Sequence, residues 1–157
     1  MMDGAAHFHR QLDMDEPLVA HLLHVEDDDL CIMGLARAFK KAAIPNPVRY
    51  ARDGLVALEM LRGVNGRERM PRPFLILLDL SMPRMDGIAF LEELRGDEAL
   101  KRSMVFVMTT SDAMEDKIKA YNLGIAGYLL KTDPANAFVE AAALLRTYWR
   151  VVELPAA

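Results

Sequence analysis

An α/β fold, with a parallel sheet wound on both faces by helices, is what this sequence predicts, and three observations predict it. Short apolar runs recur along the chain and alternate with stretches of helical periodicity. Two of those runs, Phe74–Leu78 and Met104–Met108, are apolar throughout, as strands buried on both faces of a parallel sheet must be. The runs also end in residues with chemistry: Glu26 and Asp27, Asp79, Thr109 and Thr110, Lys131. Open α/β sheets bind ligands outside the carboxyl ends of their strands, so these ends are the place to look for function.

The totals fit that fold and narrow what it could do. A chain of 157 residues suits one domain with a proper core. The net charge of -4 offers no basic footprint for nucleic acid, and no stretch of about 18 uncharged apolar residues exists to span a membrane. Cys31 is the single cysteine, so neither an intrachain disulfide nor a thiolate metal cluster can form, and a reducing cytoplasm is expected. Residues 1–17 carry no signal-peptide run and read as a flexible lead-in, residues 18–150 as the domain, and residues 151–157 as a tail. His7 and His9 lack the partners that a metal site would need and receive no role.

In chain order, residues 18–25 form the first strand, which stops at Glu26, Asp27, Asp28 and Asp29. Asp28 or Asp29 can cap the first helix, whose apolar positions are Cys31, Leu35, Ala38, Phe39 and Ala42. Residues 47–52 suit an edge strand that tolerates its leading proline, and Asp53-Gly54 turns the chain. Leu55, Leu58 and Leu61 mark a second helix ending at Gly63, and residues 64–73 read as an exposed loop without packed structure. After the strand that ends at Asp79, Ile88, Leu91 and Leu94 make the third helix. Residues 104–110 are the fourth strand. Ser111-Asp112 then starts the fourth helix, with Asp112 and Glu115 spaced as a capping box. Residues 127–131 are the fifth strand, and Asp133-Pro134 opens a long fifth helix striped by Phe138, Ala141, Ala142, Leu145, Tyr148, Trp149 and Val152.

Converging on one rim, three carboxylates repel one another unless a cation joins them, and oxygen-only ligands favour Mg²⁺. Such a site is built to receive a phosphoryl group. Asp79 would be the nucleophile, with Lys131 and the Thr109 hydroxyl meeting the charge on the transferring oxygens.

From about Leu18 to Trp149 the sequence resembles the receiver domain of two-component response regulators. The resemblance rests on five ordered features: Glu26-Asp27, Asp79 followed by Pro83 and Gly87, Thr109, and Lys131. It implies a flavodoxin-like strand order of 2-1-3-4-5, phosphorylation of Asp79 by a partner histidine kinase, and Mg²⁺ held by Asp27, Asp79 and the Ser81 carbonyl, with Glu26 acting through water. It also implies a switch in which Tyr128 swings inward as Thr109 closes on the phosphate, with Ser81 and Ser111 at the positions that set phosphate lifetime. The protein would catalyse only its own phosphorylation and dephosphorylation, and would signal through altered contacts of the fourth-helix, fifth-strand and fifth-helix face. One position departs from the family: Thr132 stands where a proline, joined by a cis bond, usually follows the lysine.

The long 64–73 loop, Thr109-Thr110-Ser111, the missing proline and the Tyr148-Trp149 ending resemble a narrower group, the small receivers that partner bacterial phytochrome kinases. Tyr148 and Trp149 either close the core or pair two chains, and a homodimer is the expectation. Two other functions stand beside the phosphoreceiver. A receiver-like adaptor that is never phosphorylated would be consistent with Thr132. An aspartyl-phosphate phosphatase of the haloacid dehalogenase kind would place a second aspartate where Ser81 stands. A flavodoxin is disfavoured, because Glu26 to Asp29 would repel a flavin phosphate.

Overall fold

The computed structural model describes residues 19–154. The expected lead-in at residues 1–17 and the last three residues of the expected tail lie outside the described residues. Five strands, β1 (His21–Val25), β2 (Val48–Ala51), β3 (Phe74–Leu78), β4 (Met104–Thr109) and β5 (Gly127–Leu130), form one parallel sheet in the order β2-β1-β3-β4-β5. The helices that alternate with them are α1 (Asp29–Lys41), α2 (Gly54–Arg62), α3 (Gly87–Gly96), α4 (Met114–Asn122) and α5 (Pro134–Val151). The doubly wound, flavodoxin-like expectation holds in both element count and order.

The sheet divides the core in two because side chains alternate along a strand. Leu23 and Val25 of β1, Ile76 and Leu78 of β3, and Val105 and Val107 of β4 pack under α2, α3 and α4. Leu22, Leu75, Leu77, Phe106 and Met108 point the other way, to Leu35 and Phe39 of α1 and Phe138, Ala141 and Leu145 of α5. All five residues of β3 are buried, so the apolar run that breaks the alternation is the central strand.

Local chemistry sets the helix starts. The carboxylates of Asp28, Asp53 and Asp86 accept from the backbone amides of Leu30, Val56 and Ala89, capping α1, α2 and α3. Of the two candidates for the first cap, Asp28 is the residue used. Gly63 ends α2 in the left-handed conformation that glycine adopts at least cost.

Two local expectations are corrected. The fourth helix begins at Met114 and not at Ser111-Asp112; its N-cap is Ala113, which makes no side-chain cap bond. Asp112 and Glu115 form no capping box, because each is drawn to a lysine instead, Asp112 to Lys117 at 2.5 Å and Glu115 to Lys119 at 2.9 Å. The 64–73 loop is also less exposed than its composition suggests. Met70 is buried in the core, and its amide donates to the Met60 carbonyl at 2.8 Å, so one apolar side chain pins the polar excursion to α2.

Tyr148 and Trp149 are half-buried against their own chain, each edge-on to a core ring, Tyr148 to Phe106 at 5.0 Å and Trp149 to Phe39 at 6.0 Å between centroids.

Candidate functional site

The register of the sheet carries four strand ends to one rim, and side-chain alternation sorts what they offer. Glu26 lies one residue past β1 and Asp79 one residue past β3, and the Asp79 amide donates to the Val25 carbonyl at 3.0 Å, which extends the pairing of β1 and β3 into the site. Lys131 follows β5, with its amide bonded to the Thr109 carbonyl at 2.9 Å. Thr109, the last residue of β4, is fully buried, whereas Thr110 is exposed. Thr109 is therefore the hydroxyl turned inward.

Carboxylate oxygens of Glu26, Asp27 and Asp79 lie within 4.8 Å of one another. Glu26 and Asp79 are buried and Asp27 is exposed, so the cluster has a closed floor and an open side. A cleft of about 600 Å³ continues outward from it, lined by Asp27, Ser81, Met82, Pro83, Asp86 and Asp116 among others. Ser81 is exposed there and its amide approaches the Asp79 carboxylate at 3.4 Å.

Lys131 reaches into this cluster from the far edge of the sheet. Its Nζ is 2.5 Å from Glu26 Oε2, 3.5 Å from Asp79 Oδ2 and 3.6 Å from Cys31 Sγ, and its side chain is 7% exposed. Among the described residues the cis peptide is Arg72–Pro73, so the Lys131–Thr132 bond is trans. Replacing the family's proline with Thr132 thus leaves the lysine in the pocket.

Burial dominates the electrostatics. It pushes the Glu26 carboxyl up to about 7, against the Lys131 bond and charge that favour its anion; the Asp79 charge adds to the rise. On Lys131 burial works to lower the pKa, but the bond to Glu26 and the charges of Glu26 and Asp79 outweigh it and hold the ammonium above its ordinary range. One ammonium thus serves two buried carboxylates, and the third, Asp27, stays in solvent. A hard divalent cation fits this all-oxygen donor set, since it would supply the positive charge that a single lysine does not.

Beside the charged pocket, the Tyr128 hydroxyl donates to the Ser111 carbonyl at 2.8 Å, and the Ser111 hydroxyl donates to Asp116. Ser111 also accepts from the Ala113 amide at 3.4 Å, so it serves the entry to α4, and its own amide approaches the buried Thr109 hydroxyl at 3.5 Å.

Gly87 is fixed by space. A Cβ there would stand 2.5 Å from the Asp79 carbonyl oxygen and 2.7 Å from the Leu80 Cα, and the Gly87 amide donates to the Leu80 carbonyl at 2.9 Å. The loop after Asp79 can fold back this tightly only over a residue with no side chain.

Several contributors were invisible in the sequence. Asp53, read as a turn residue, is buried; it caps α2 and also pairs with Arg84 in the loop after β3, at 2.5 and 2.7 Å. Arg84 takes a positive φ of 62°, which no local signal announces. Cys31, read as core, borders Lys131, and the buried His24 lies on the same side of β1 as Glu26. Period-two alternation could have placed His24.

Known proteins share this fold. Residues 22–143 match the response regulator receiver domain, and the chain belongs to that family. Among its relatives is the response regulator Rcp1 of Synechocystis, 35% identical over 87% of this chain and 93% of Rcp1. The crystal structure of Rcp1 in its Mn²⁺-bound form covers 88% of this chain and all of that one, with a TM-score of 0.78. The phosphorylated cyanobacterial phytochrome response regulator RcpA is 30% identical, with a TM-score of 0.80 over 88% of this chain and 99% of its own. RPA3017, a response regulator in red light signaling of R. palustris, is 32% identical, with a TM-score of 0.78 over 89% of this chain and all of its own. The fold, the family and the likeness to phytochrome-associated receivers are therefore as the sequence predicted. Among the described residues no helix is long and apolar enough to cross a membrane.

Proposed function

We propose that this protein is a phosphoreceiver: Asp79 accepts a phosphoryl group from a phosphohistidine of a partner histidine kinase, and the modified rim changes which protein surfaces it presents. The observation that carries this reading is the buried meeting of Lys131 with Glu26 and Asp79, an ammonium and two carboxylates drawn from three separate strand ends. In the reaction a carboxylate oxygen of Asp79 attacks phosphorus, the P–N bond breaks, and the imidazole leaves with the electron pair. Lys131 is placed to follow the phosphoryl oxygens, exchanging its Glu26 contact for them. Thr109 supplies a hydroxyl from the neighbouring strand end.

Asp27, Asp79 and the Ser81 carbonyl, with Glu26 through water, would hold Mg²⁺. The ion, when bound, supplies charge neutralisation for the incoming phosphate. The three-carboxylate cluster and the Mn²⁺-bound form of Rcp1 support this assignment. The relatives RcpA and RPA3017 support a phytochrome kinase as the phosphodonor.

Output would pass through α4, β5 and α5. Tyr128 links the site to α4 through Ser111, and α4 exposes Met114, Ile118 and Tyr121 along one side, 67%, 53% and 53% accessible. Tyr148 and Trp149 keep part of their surface free and are assigned to a homodimer contact, which light scattering at micromolar concentration tests; a monomer with and without phosphorylation would remove it.

The test of the central reading is incubation with Mg²⁺ and a small phosphodonor, followed by mass spectrometry. One acid-stable, base-labile phosphoryl group is expected on the wild type and none on Asp79→Asn. A wild type that never labels, with small donors or with a kinase, would leave the adaptor as the function.

A further inference from the structure

A phosphoryl group that arrives on Asp79 must also leave, and the α4 side of the rim holds a pair of residues suited to that step. Ser111 lies two residues past β4. Its carbonyl accepts from the Tyr128 hydroxyl at 2.8 Å, its amide approaches Thr109 Oγ1 at 3.5 Å, and its hydroxyl donates to Asp116 Oδ2. Asp116 stands in the first turn of α4. The acids around it are drawn to lysines, Asp112 to Lys117 and Glu115 to Lys119, whereas Asp116 takes the serine hydroxyl.

Asp116 also lines the cleft of about 600 Å³ that opens from the acidic pocket, together with Asp27 and Ser81. Solvent reaches Asp79 through that space. The carboxylate that binds Ser111 therefore borders the path of any water that attacks a phosphoryl group there.

A serine hydroxyl has one proton and two acceptor positions. Here the proton goes to Asp116, and one acceptor position takes the Ala113 amide at 3.4 Å. One acceptor position is left. Ser111 Oγ can thus accept a hydrogen from water but has none to give, and a water held through its own O–H keeps a lone pair free for attack. The Asp116 charge strengthens the oxygen as an acceptor, because hydrogen bonds in a chain polarise one another.

We propose that Asp116 is a positioning residue for loss of the phosphoryl group, fixing the Ser111 hydroxyl so that its oxygen holds the hydrolytic water; this role rests on the phosphoreceiver reading. The water oxygen attacks phosphorus, and the P–O bond to Asp79 breaks with its electron pair returning to the carboxylate. Phosphate leaves as H₂PO₄⁻, carrying both protons of the water. Arrival of the phosphoryl group needs no water, so the pair sets how long the modified state lasts.

The test labels the full chain with a small phosphodonor in Mg²⁺, removes the donor, and follows phosphoryl loss by mass spectrometry. Both residues are half-buried, so truncating either leaves the core intact. Asp116→Ala should lose phosphate about five to ten times more slowly than wild type, the worth of one hydrogen bond, with the initial rate of labelling changed far less. Ser111→Ala should slow the loss equally, and the double variant no further, since both act through one oxygen. Asp116→Asn keeps an acceptor for the hydroxyl and should recover most of the wild-type rate. Loss from Asp116→Ala as fast as from wild type, additive slowing in the double variant, or an Asp116→Asn as slow as Asp116→Ala would overturn the proposal while the phosphoreceiver reading stands. A wild type that never labels would remove that reading and the role of Asp116 with it.

Discussion

The two sides of the sheet bring different chemistry to the same rim. Under α1 and α5, the residues that continue the inward pattern of Leu22, Leu75 and Leu129 are His24, Glu26, Asp79 and Lys131, with Cys31 packed beside them. Under α2, α3 and α4, the pattern of Val105, Val107 and Tyr128 ends in Thr109, and the contacts there are hydrogen bonds that run from the Tyr128 and Thr109 hydroxyls through Ser111 to Asp116 of α4. One side concentrates buried charge and the other couples a hydroxyl and an aromatic ring to a helix. A phosphoryl group bound between them would be held by the first and reported by the second. The comparison predicts that substitutions on the α1/α5 side change chemistry and pH dependence, while those on the α4 side change the response and leave the chemistry in place.

The largest expected effect is on the charged side. Lys131→Met removes the ammonium that bridges Glu26 and Asp79, and the initial rate of labelling by a small phosphodonor should fall on the order of a hundredfold. Labelling within a few-fold of wild type would break the division of labour at its strongest point.

The pH dependence of stability sharpens the same side, because two of its groups oppose each other. Burial, helped by the Lys131 charge, pushes His24 down to about 3, so the folded state holds it neutral. Its contribution is complete above the unfolded value of 6.5 and is lost as pH falls from there toward 3, at about 1.4 kcal/mol per pH unit. Glu26 is raised to about 7 from 4.5, so its contribution is present at low pH and is lost as pH rises through that window. Between pH 4.5 and 6.5 the two slopes have opposite sign. Denaturant titrations in chelator should give a shallow wild-type profile that tilts one way in Glu26→Gln, losing stability on acidification, and the other way in His24→Leu. Parallel profiles in both variants would show that these groups do not titrate against each other.

Next in size is Gly87→Ala, which belongs to neither side and so calibrates both. The added Cβ meets backbone of Asp79 and Leu80, atoms that cannot rotate away, and the cost should be roughly 1–3 kcal/mol in equilibrium unfolding. Because the strain falls on the carrier of the nucleophile, labelling should slow as well.

How much of this could be read from the residues follows from the range of each cause. The strands, the fold and the four strand-end residues were legible because alternation, apolar runs and caps are local, and a parallel sheet sends every carboxyl end to one rim. Thr132 after Lys131 looked like a threat to the lysine's position, yet a trans bond leaves Lys131 on Glu26, since the site's own charges, and not the next residue alone, direct that side chain. The failures were all matters of competition for a partner. Asp112 had the spacing of a cap and was taken by Lys117; Met70 sat in a polar loop and was taken by the core; Asp53 looked like a turn and became the partner of Arg84, 31 positions away. For Met70 and Asp53 no short window of sequence contains both partners, whereas Asp112 and Lys117 are only five positions apart and there a local ion pair outcompetes the cap.

The smallest effect tests the switch side. Tyr128→Phe deletes the hydroxyl that donates to the Ser111 carbonyl and keeps the ring, whose packing against the α2–α4 core is apolar. A partly buried neutral hydrogen bond is worth about 1 kcal/mol, and Ser111 can turn to water, so unfolding free energy should drop by no more than that. Labelling of Asp79 should proceed at an unchanged rate, because the Tyr128 hydroxyl bonds to Ser111, while Lys131 bonds to Glu26 and pairs with Asp79. What should change is the entry to α4: amide exchange at Ser111 to Lys117 should quicken in the variant, and the difference between unphosphorylated and phosphorylated protein in that segment should shrink. Slower labelling with α4 unaltered would put Tyr128 with the chemistry and erase the distinction between the two sides.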